Sequence, residues 1–386
     1  MSIFAPTNPY AVTNTAAAQA RSPRAAVVIN GIQVRFYDLN VMTTTFYLAD
    51  TFRIELPLNG QDQALNMDYW ASVDTFSVKI YIGFPPDPNA YSTSDLDLFM
   101  QGDADDMQLD PGSARVLLSG RDLTASFIDN KTTQKFSNQT SSQIVTMFAQ
   151  QQGLKTQITP TSTLVGTYYS QQQVMLTDEI TQWDLMVFLA QQEDFVLFVQ
   201  GDTLVFEPRP TDTNVQNPYV IQYVAPSDTM ASPTINAMSL SLNRSMTLAK
   251  DAQVTVRVPY GTKNGQAFSV VAKTSRRTRP NLSNVPKPSM KVQKYSLTKP
   301  GLNQEQALQY AQQRLREITS HEVRLTASVP GDNRLKKDSL IQLVGTNTAF
   351  DQYYYADQVT RRLSFTDGYT MDISAKNHSV DSQVSP

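Results

Sequence analysis

Apolar residues recur at every second position over two long stretches of this chain, and the stretch between them abandons that period for helical spacing. Phe52, Ile54 and Leu56 alternate with Arg53, Glu55 and Pro57, and Phe76, Val78, Ile80 and Ile82 alternate with Ser77, Lys79 and Tyr81. Farther along, Met238, Leu240 and Leu242 alternate, as do Val254, Val256 and Val258. Successive strand side chains point to opposite faces, so a period of two calls for a sheet with one face buried and one wet, as in an antiparallel barrel or sandwich. Asn30-Gly31 sits between Val27, Val28 and Ile29 on one side and Ile32, Val34 and Phe36 on the other. That pair predicts a hairpin, because both residues tolerate the positive φ of a two-residue turn.

Between Leu117 and Glu207 the predicted order is strand, helix, strand, helix, hairpin. Thr140-Ser-Ser-Gln143 opens a helix in which Ile144, Met147 and Phe148 share a face, and Gly153 supplies the stop. Leu176-Thr-Asp-Glu-Ile-Thr-Gln-Trp183 opens a second, with Trp183, Met186, Val187 and Ala190 at helical spacing. Phe195 to Gln200 and Thr203 to Glu207 form a hairpin around Gly201-Asp202. After Pro208 and Pro210 the strands return, with Val254, Val256 and Val258 facing Phe268 and Val270 across a Lys263-Asn-Gly-Gln266 turn. Asn303 then caps a helix whose apolar face holds Ala307, Leu308, Ala311, Leu315 and Ile318. Strands over Val323 to Val329, Ser339 to Val344, Tyr353 to Ser364 and Tyr369 to Ala375 close the region. The expected class is β-rich α+β: a flexible arm over 1–24, a β domain over 25–118, a small mixed α+β insert over 119–210, a second β domain over 211–378 and a tail over 379–386.

A length of 386 residues, 40% of them hydrophobic, is enough for two to three domains with real cores. Mean hydropathy is -0.33 and no apolar run approaches the length of a membrane span, so no span is expected. The first residues lack the charged start and apolar middle of a signal peptide, which points to synthesis in cytoplasm. With no cysteine there are no disulfides, thiolate metal sites or cysteine nucleophiles, and the two histidines, His321 and His378, leave little for histidine chemistry.

The net charge of -3 is unevenly spread. Asp87 to Asp110 holds seven aspartates and no Lys or Arg, whereas Lys273 to Lys299 holds eight Lys or Arg and no acid. Both segments are rich in Pro, Ser, Asn and Gly, so both are expected as long loops. Asp95, Asp97, Asp103, Asp105, Asp106 and Asp110 do not match the spacing of a calcium loop, and a glycosidase pair needs burial and a fixed separation; a solvated acidic loop is the better reading. Arg276, Arg277, Arg279, Lys287, Lys291 and Lys294 have the charge to grip phosphate. Tyr295 is the only aromatic among them and the whole chain is acidic, which favours docking on an acidic neighbour, the Asp87 to Asp110 segment of another copy above all. Arg276, Arg277, Arg279, Asp103, Asp105 and Asp106 are therefore the candidate interface residues.

Trp183 and Phe188, beside Leu185 and Leu189, are better core residues than a ligand platform. His321 is better a helix-terminal cation than a switch. Asn130, Asn138, Asn243, Asn281 and Asn377 stand in Asn-x-Ser/Thr triplets that mean little without a secretory signal. No phosphate-binding Gly-Lys loop, nucleophile elbow, zinc-protease helix or dinucleotide glycine set is present, so no catalytic residue, metal or cofactor is expected.

Three pieces of wording carry a family resemblance: G-R-D-L-x-A-x-F-I-D at Gly120 to Asp129, the helix from Asn138 that runs to Q-Q-G-L at Leu154, and T-x-W-D-L-M-V-F-L-A-Q-Q-E-D-F at Thr181 to Phe195. A fourth, A-L-Q-Y-A-Q-Q-R-L at Ala307 to Leu315, precedes the last strands. In this order they resemble phage baseplate central hub proteins: the Mu-like and T4-like tail hubs, the late control D proteins and the hub half of type VI secretion spike proteins. The resemblance implies two tube-type antiparallel β-barrel domains flanking the insert, and a homotrimer forming a ring of six quasi-equivalent barrels. Such a ring joins a sixfold tail tube to a threefold spike within the baseplate of a contractile tail. The implied neighbours are a tail tube or tube-initiator protein, baseplate wedge proteins, a tape measure protein and a spike, here expected as a separate polypeptide because the chain stops at Pro386. DNA would pass through the lumen without specific binding, as the acidic balance permits. The place of work is then the virion. Two other readings stay open: a receptor- or carbohydrate-binding tail protein, for which Tyr353-Tyr354-Tyr355 is the local aromatic candidate, and a tail-associated peptidoglycan hydrolase.

Overall fold

The computed structural model describes residues 22–377 apart from 45, 133, 135, 137, 163, 165–179, 210–216, 228–231, 246–251, 260–265, 274–291, 301, 320–322 and 338. The first flank supplies β1 (Arg24–Ile29), β2 (Ile32–Val34), β3 (Asp38–Thr44), β4 (Thr51–Pro57), α1 (Met67–Ser72), β5 (Ser77–Gly83), β6 (Asp97–Asp110) and β7 (Arg115–Asp122). The centre supplies α2 (Thr124–Asp129), β8 (Lys131–Thr132), α3 (Ser141–Gln151), β9 (Lys155–Ile158), β10 (Ile180–Thr181), α4 (Gln182–Glu193), β11 (Phe195–Gln200) and β12 (Thr203–Pro208). The second flank supplies β13 (Tyr219–Val224), β14 (Thr234–Ile235), β15 (Ser239–Arg244), β16 (Ala252–Val258), β17 (Phe268–Lys273), β18 (Gln293–Thr298), α5 (Gln304–Thr319), β19 (Val323–Pro330), β20 (Leu340–Val344), β21 (Tyr353–Ser364) and β22 (Gly368–Asn377).

Local chemistry explains most of these elements. Asn30 and Gly31 have φ of 48° and 84°, closing the β1–β2 hairpin. Gly201 at φ 59° does the same between β11 and β12. Thr140 caps α3 in a reciprocal box with Gln143, and Gly153 ends it at φ 70°. The period-two positions of β4 and β5 are buried: Phe52, Ile54 and Leu56 pack with Val78, Ile80 and Ile82 around Trp70, which is 1% exposed. Each such aliphatic side chain contributes roughly 1.5–3 kcal/mol by leaving water.

The two flanks form one sheet. Its order, β14-β13-β20-β21-β3-β4-β7-β6-β5-β1-β2, belongs to a 14-stranded sheet in which β22, β19 and β15 continue off β21. The seam is β21 against β3, antiparallel from Gln358 opposite Thr44 to Ser364 opposite Asp38. Before the bulge between Ala356 and Gln358, β21 pairs instead with β20. An inserted residue bends a strand and lets it change partners. Among the described residues no sheet closes into a barrel.

Three expectations need correction. Part of the acidic segment is a strand and not a loop: Met100, Ala104, Met107 and Leu109 of β6 all pack on the first core. A bulge between Ala104 and Asp106 moves the apolar phase by one, which hides the alternation from any strict period-two reading. The basic segment likewise ends in a strand, since Lys294 and Tyr295 belong to β18. Arg276, Arg277, Arg279, Lys287, Lys291, both histidines, residues 1–21 and the tail lie outside the described residues. Finally, α4 begins at Gln182 with Thr181 as its cap, not at Leu176, because Ile180 and Thr181 pair with β8; residues 176–179 are outside the described set.

Val256 opposes Val270 and Val258 opposes Phe268, as the alternation predicts. These strands nevertheless stand apart from the large sheet. With β18 they make a three-stranded sheet covered by α5, whose Ala307 and Ala311 pack on Val254, Val256 and Val258. Asn303 caps α5 as expected, accepting the Gln306 N–H at 2.8 Å.

Candidate functional site at the joint of the three units

The Gly120-Arg121-Asp122 wording lies where β7 leaves the first flank for the insert, and each residue there has its own task. Gly120 lies so close to β6 that a Cβ would sit 2.2 Å from the Asp103 carbonyl oxygen and 2.7 Å from Cζ of Phe52. Arg121 donates to both oxygens of Asp105 at 2.7 and 2.8 Å and reaches Asp129 at 3.1 Å. Those bonds, Asp105 first, hold its pKa above the usual guanidinium range. Asp122 donates its N–H to the Asp50 carbonyl at 2.9 Å and accepts the Thr124 N–H at 3.1 Å, which fixes the start of α2.

Asp122 also belongs to a buried charge cluster. Asp50, in the turn after β3, pairs with Lys337, in the loop before β20, at 2.8 Å, with side chains 7% and 9% exposed. Asp50 accepts the Thr44 N–H at 2.9 Å as well. The Lys337 ammonium lies 5.4 Å from the ring centre of Phe198 on β11. One cluster thus draws residues from the first flank, the insert and the second flank. Burial raises the Asp50 pKa against the opposing pull of Lys337, and burial pushes Asp122 up to about 7, with Lys337 opposing and Asp50 reinforcing.

Two further contacts fasten the same joint. In the loop carrying Lys337, Asn333 donates to the Ile82 carbonyl at 2.7 Å and to Asp97 at 2.9 Å. Arg361, 2% exposed, donates to the Leu335 carbonyl at 2.5 Å and lies 4.7 Å from the ring centre of Phe99 on β6. On the insert side, Tyr47 adopts φ 82° and is bonded throughout: its carbonyl accepts from the Trp183 indole at 2.8 Å, its hydroxyl donates to the Phe195 carbonyl at 2.6 Å, and Arg209 donates to that hydroxyl at 2.9 Å. Arg209 stacks between Phe46, Tyr47 and Tyr355, and Asp194 bridges it to Arg316 of α5.

Together these contacts fasten one unit to another. Among the described residues no three acidic or imidazole side chains gather as a metal site. The aspartates of the acidic segment are scattered over separate structural tasks: Asp95 caps a turn at Ser92, Asp97 holds Asn333, Asp105 holds Arg121 and Asp110 closes the turn at Ser113. Asp103 and Asp106 are exposed on β6. Trp183 is core, 3% exposed. Tyr354 and Tyr355 are buried at 0% and 8%, so the tyrosine run presents no aromatic platform. No helix among the described residues is long and apolar enough to cross a membrane. The cluster of Asp50, Asp122 and Lys337 has no signature in the sequence; only Asp122 stood inside a quoted motif.

Residues 122–376 match the YQBQ-like family model. No curated protein matches the sequence. Among solved structures, the chain resembles a tail protein from Neisseria meningitidis MC58 with a TM-score of 0.62 at 16% identity, over 92% of this chain and 96% of that one. It resembles the 43 kDa tail protein of prophage MuSo2 from Shewanella oneidensis with a TM-score of 0.59 at 13% identity, over 93% and 99% of the two chains. A third likeness, 0.52 at 12% identity over 93% and 79%, is to an E. coli component of the type VI secretion system that is itself described as similar to the T4 bacteriophage tail proteins gp27 and gp5. At these identities the likeness is one of fold, and it takes in both flanks and the insert together.

Proposed function

Because this chain belongs to the YQBQ-like family and has the fold of phage tail proteins over nearly its whole length, we propose that it is a structural tail protein, the central hub of a contractile baseplate. The observation that carries the proposal is the extent of the likeness, which covers 92% of this chain and 96% of the tail protein from Neisseria meningitidis MC58. In this reading the flanks act as two tube-type β-barrel domains, three chains form a ring of six such domains, and the ring adapts a sixfold tube to a threefold spike. The buried joint supports it, since two β units that occupy quasi-equivalent places must keep a constant relation to each other. A net charge of -3 suits a conduit that lets DNA slip through. The partners are a spike, a tail tube or tube-initiator protein, wedge proteins and a tape measure protein, all within the virion.

The test is assembly. Mass measurement and electron-microscopy class averages of the purified protein with its spike should give a trimer with threefold symmetry. A strictly monomeric mass in that mixture, or averages without threefold symmetry, would overturn the hub reading.

A further inference from the structure

Asp50, Asp122 and Lys337 place two carboxylates and one ammonium where solvent does not reach. Asp50 and Lys337 balance each other at 2.8 Å. Asp122, 4% exposed, is left over: one oxygen accepts the Thr124 N–H, and the other has no hydrogen-bond partner. The adjacent Thr124 hydroxyl is buried beside it and favours the ionised carboxylate, a pull that burial outweighs. An ionised carboxylate in that position is far more costly than a neutral acid.

Few ligands suit such a place. Asp50, Asp122 and Thr124 are 5%, 4% and 0% exposed, and the small void beside Lys337, about 10 Å³, is lined by Thr43, Thr44, Leu335 and Val359 and by neither aspartate. The ammonium repels a metal cation. A proton needs no room and removes the surplus charge. We propose that the joint contains a proton-binding site on Asp122, which keeps this carboxyl neutral while the insert and the two flanks are docked and releases the proton when the joint opens.

The charged groups around the site agree. Burial is the largest influence on Asp122; Lys337 opposes it, the Asp50 charge adds to it, and hydrogen bonds to Thr124 and the Asp50 backbone oppose it, leaving the group at about 7. Arg361 on β21 faces Asp50 from the second flank, and the Thr44 N–H and hydroxyl hold Asp50 as an acceptor. The titration belongs to the Asp50 and Asp122 pair, and the ion pair with Lys337 directs the proton to Asp122. The folded value lies above the ordinary 3.8, so the stabilisation is complete at pH below about 4 and is lost as pH rises to about 7, with no further loss beyond. The inference is independent of what the chain assembles with.

Hydrogen exchange of the α2 amides in the intact protein tests it. The ratio of protection in the wild type to that in Asp122→Asn should fall by about tenfold per pH unit between roughly pH 5 and 7 and be level above about 8. Equal pH profiles for the two proteins would overturn the proposal. Should the variant not fold, carboxyl carbon titration of labelled aspartates in the wild type decides the matter: one midpoint near 7 is expected, and midpoints all below about 5 would refute the site.

Discussion

Gly120 and Gly31 are both glycines in the first flank, yet they are required for different reasons. At Gly31 nothing lies within 4 Å of a would-be Cβ, and the constraint is the left-handed backbone at φ 84°. At Gly120 the constraint is space, with the Asp103 carbonyl, the Ala104 Cα and the Phe52 ring all under 3 Å from that position. Backbone cannot move aside as a flexible side chain can. Gly120→Ala should therefore cost about 3 kcal/mol by forcing β6 and β7 apart, whereas Gly31→Ala should cost about 1 kcal/mol. Chemical denaturation of the two variants measures both, and a larger loss at Gly31 would contradict this account.

At the scale of elements, side-chain caps and bulges decide where helices begin and where strands change partner. The Thr140 hydroxyl accepts from the Gln143 N–H while the Gln143 side chain accepts the Thr140 N–H at 2.9 Å. Thr140→Ala leaves the first turn of α3 without its cap and should cost about 1 kcal/mol, read as roughly fivefold faster exchange of the first-turn amides of α3. Unchanged exchange there would mean that packing of Ile144, Val145 and Phe148 alone sets the helix start. The β6 bulge works differently. It leaves Asp105 opposite no β7 residue, and that extra residue is the one Arg121 holds in a two-pronged ion pair. With Arg121 27% and Asp105 39% exposed, this pair aims the strand more than it stabilises the fold.

For the whole molecule, charge and connectivity set what an assembly can use. Lys273, which ends β17, and Gln293, which begins β18, lie beside Gln253 and Ala252 at one end of the small sheet. We propose that within the ring Arg276, Arg277 and Arg279, which lie outside the described residues, face acidic surface on a neighbour, for which exposed Asp103 and Asp106 are suited while Asp105 is already engaged by Arg121. Exposed pairs contribute about 0.2–1 kcal/mol each, so one Arg→Ala change should be nearly silent. The triple Ala variant should slow assembly with its spike, more at low salt than at high. Wild-type assembly rates for the triple variant at low salt would leave the segment a solvated connection and remove this interface.

Much of the architecture was legible in the residues themselves. The Asn30-Gly31 and Gly201-Asp202 turns, the Thr140 cap and the alternations of β4, β5, β16 and β17 depend on backbone preference and on neighbours a few positions away, which a sequence states directly. The bulge in β6 concealed a strand because one inserted residue reverses the phase of everything after it. What the chain alone could not declare was pairing at long range. Val359 and Thr43 meet across 316 residues at the seam of β21 and β3, and closing so long a span is decided by the complementarity of whole surfaces. The joint follows the same logic. Asp50, Asp122 and Lys337 are ordinary charged residues until the two flanks and the insert close over them; only then does removal from water turn two aspartates and a lysine into one interdependent group.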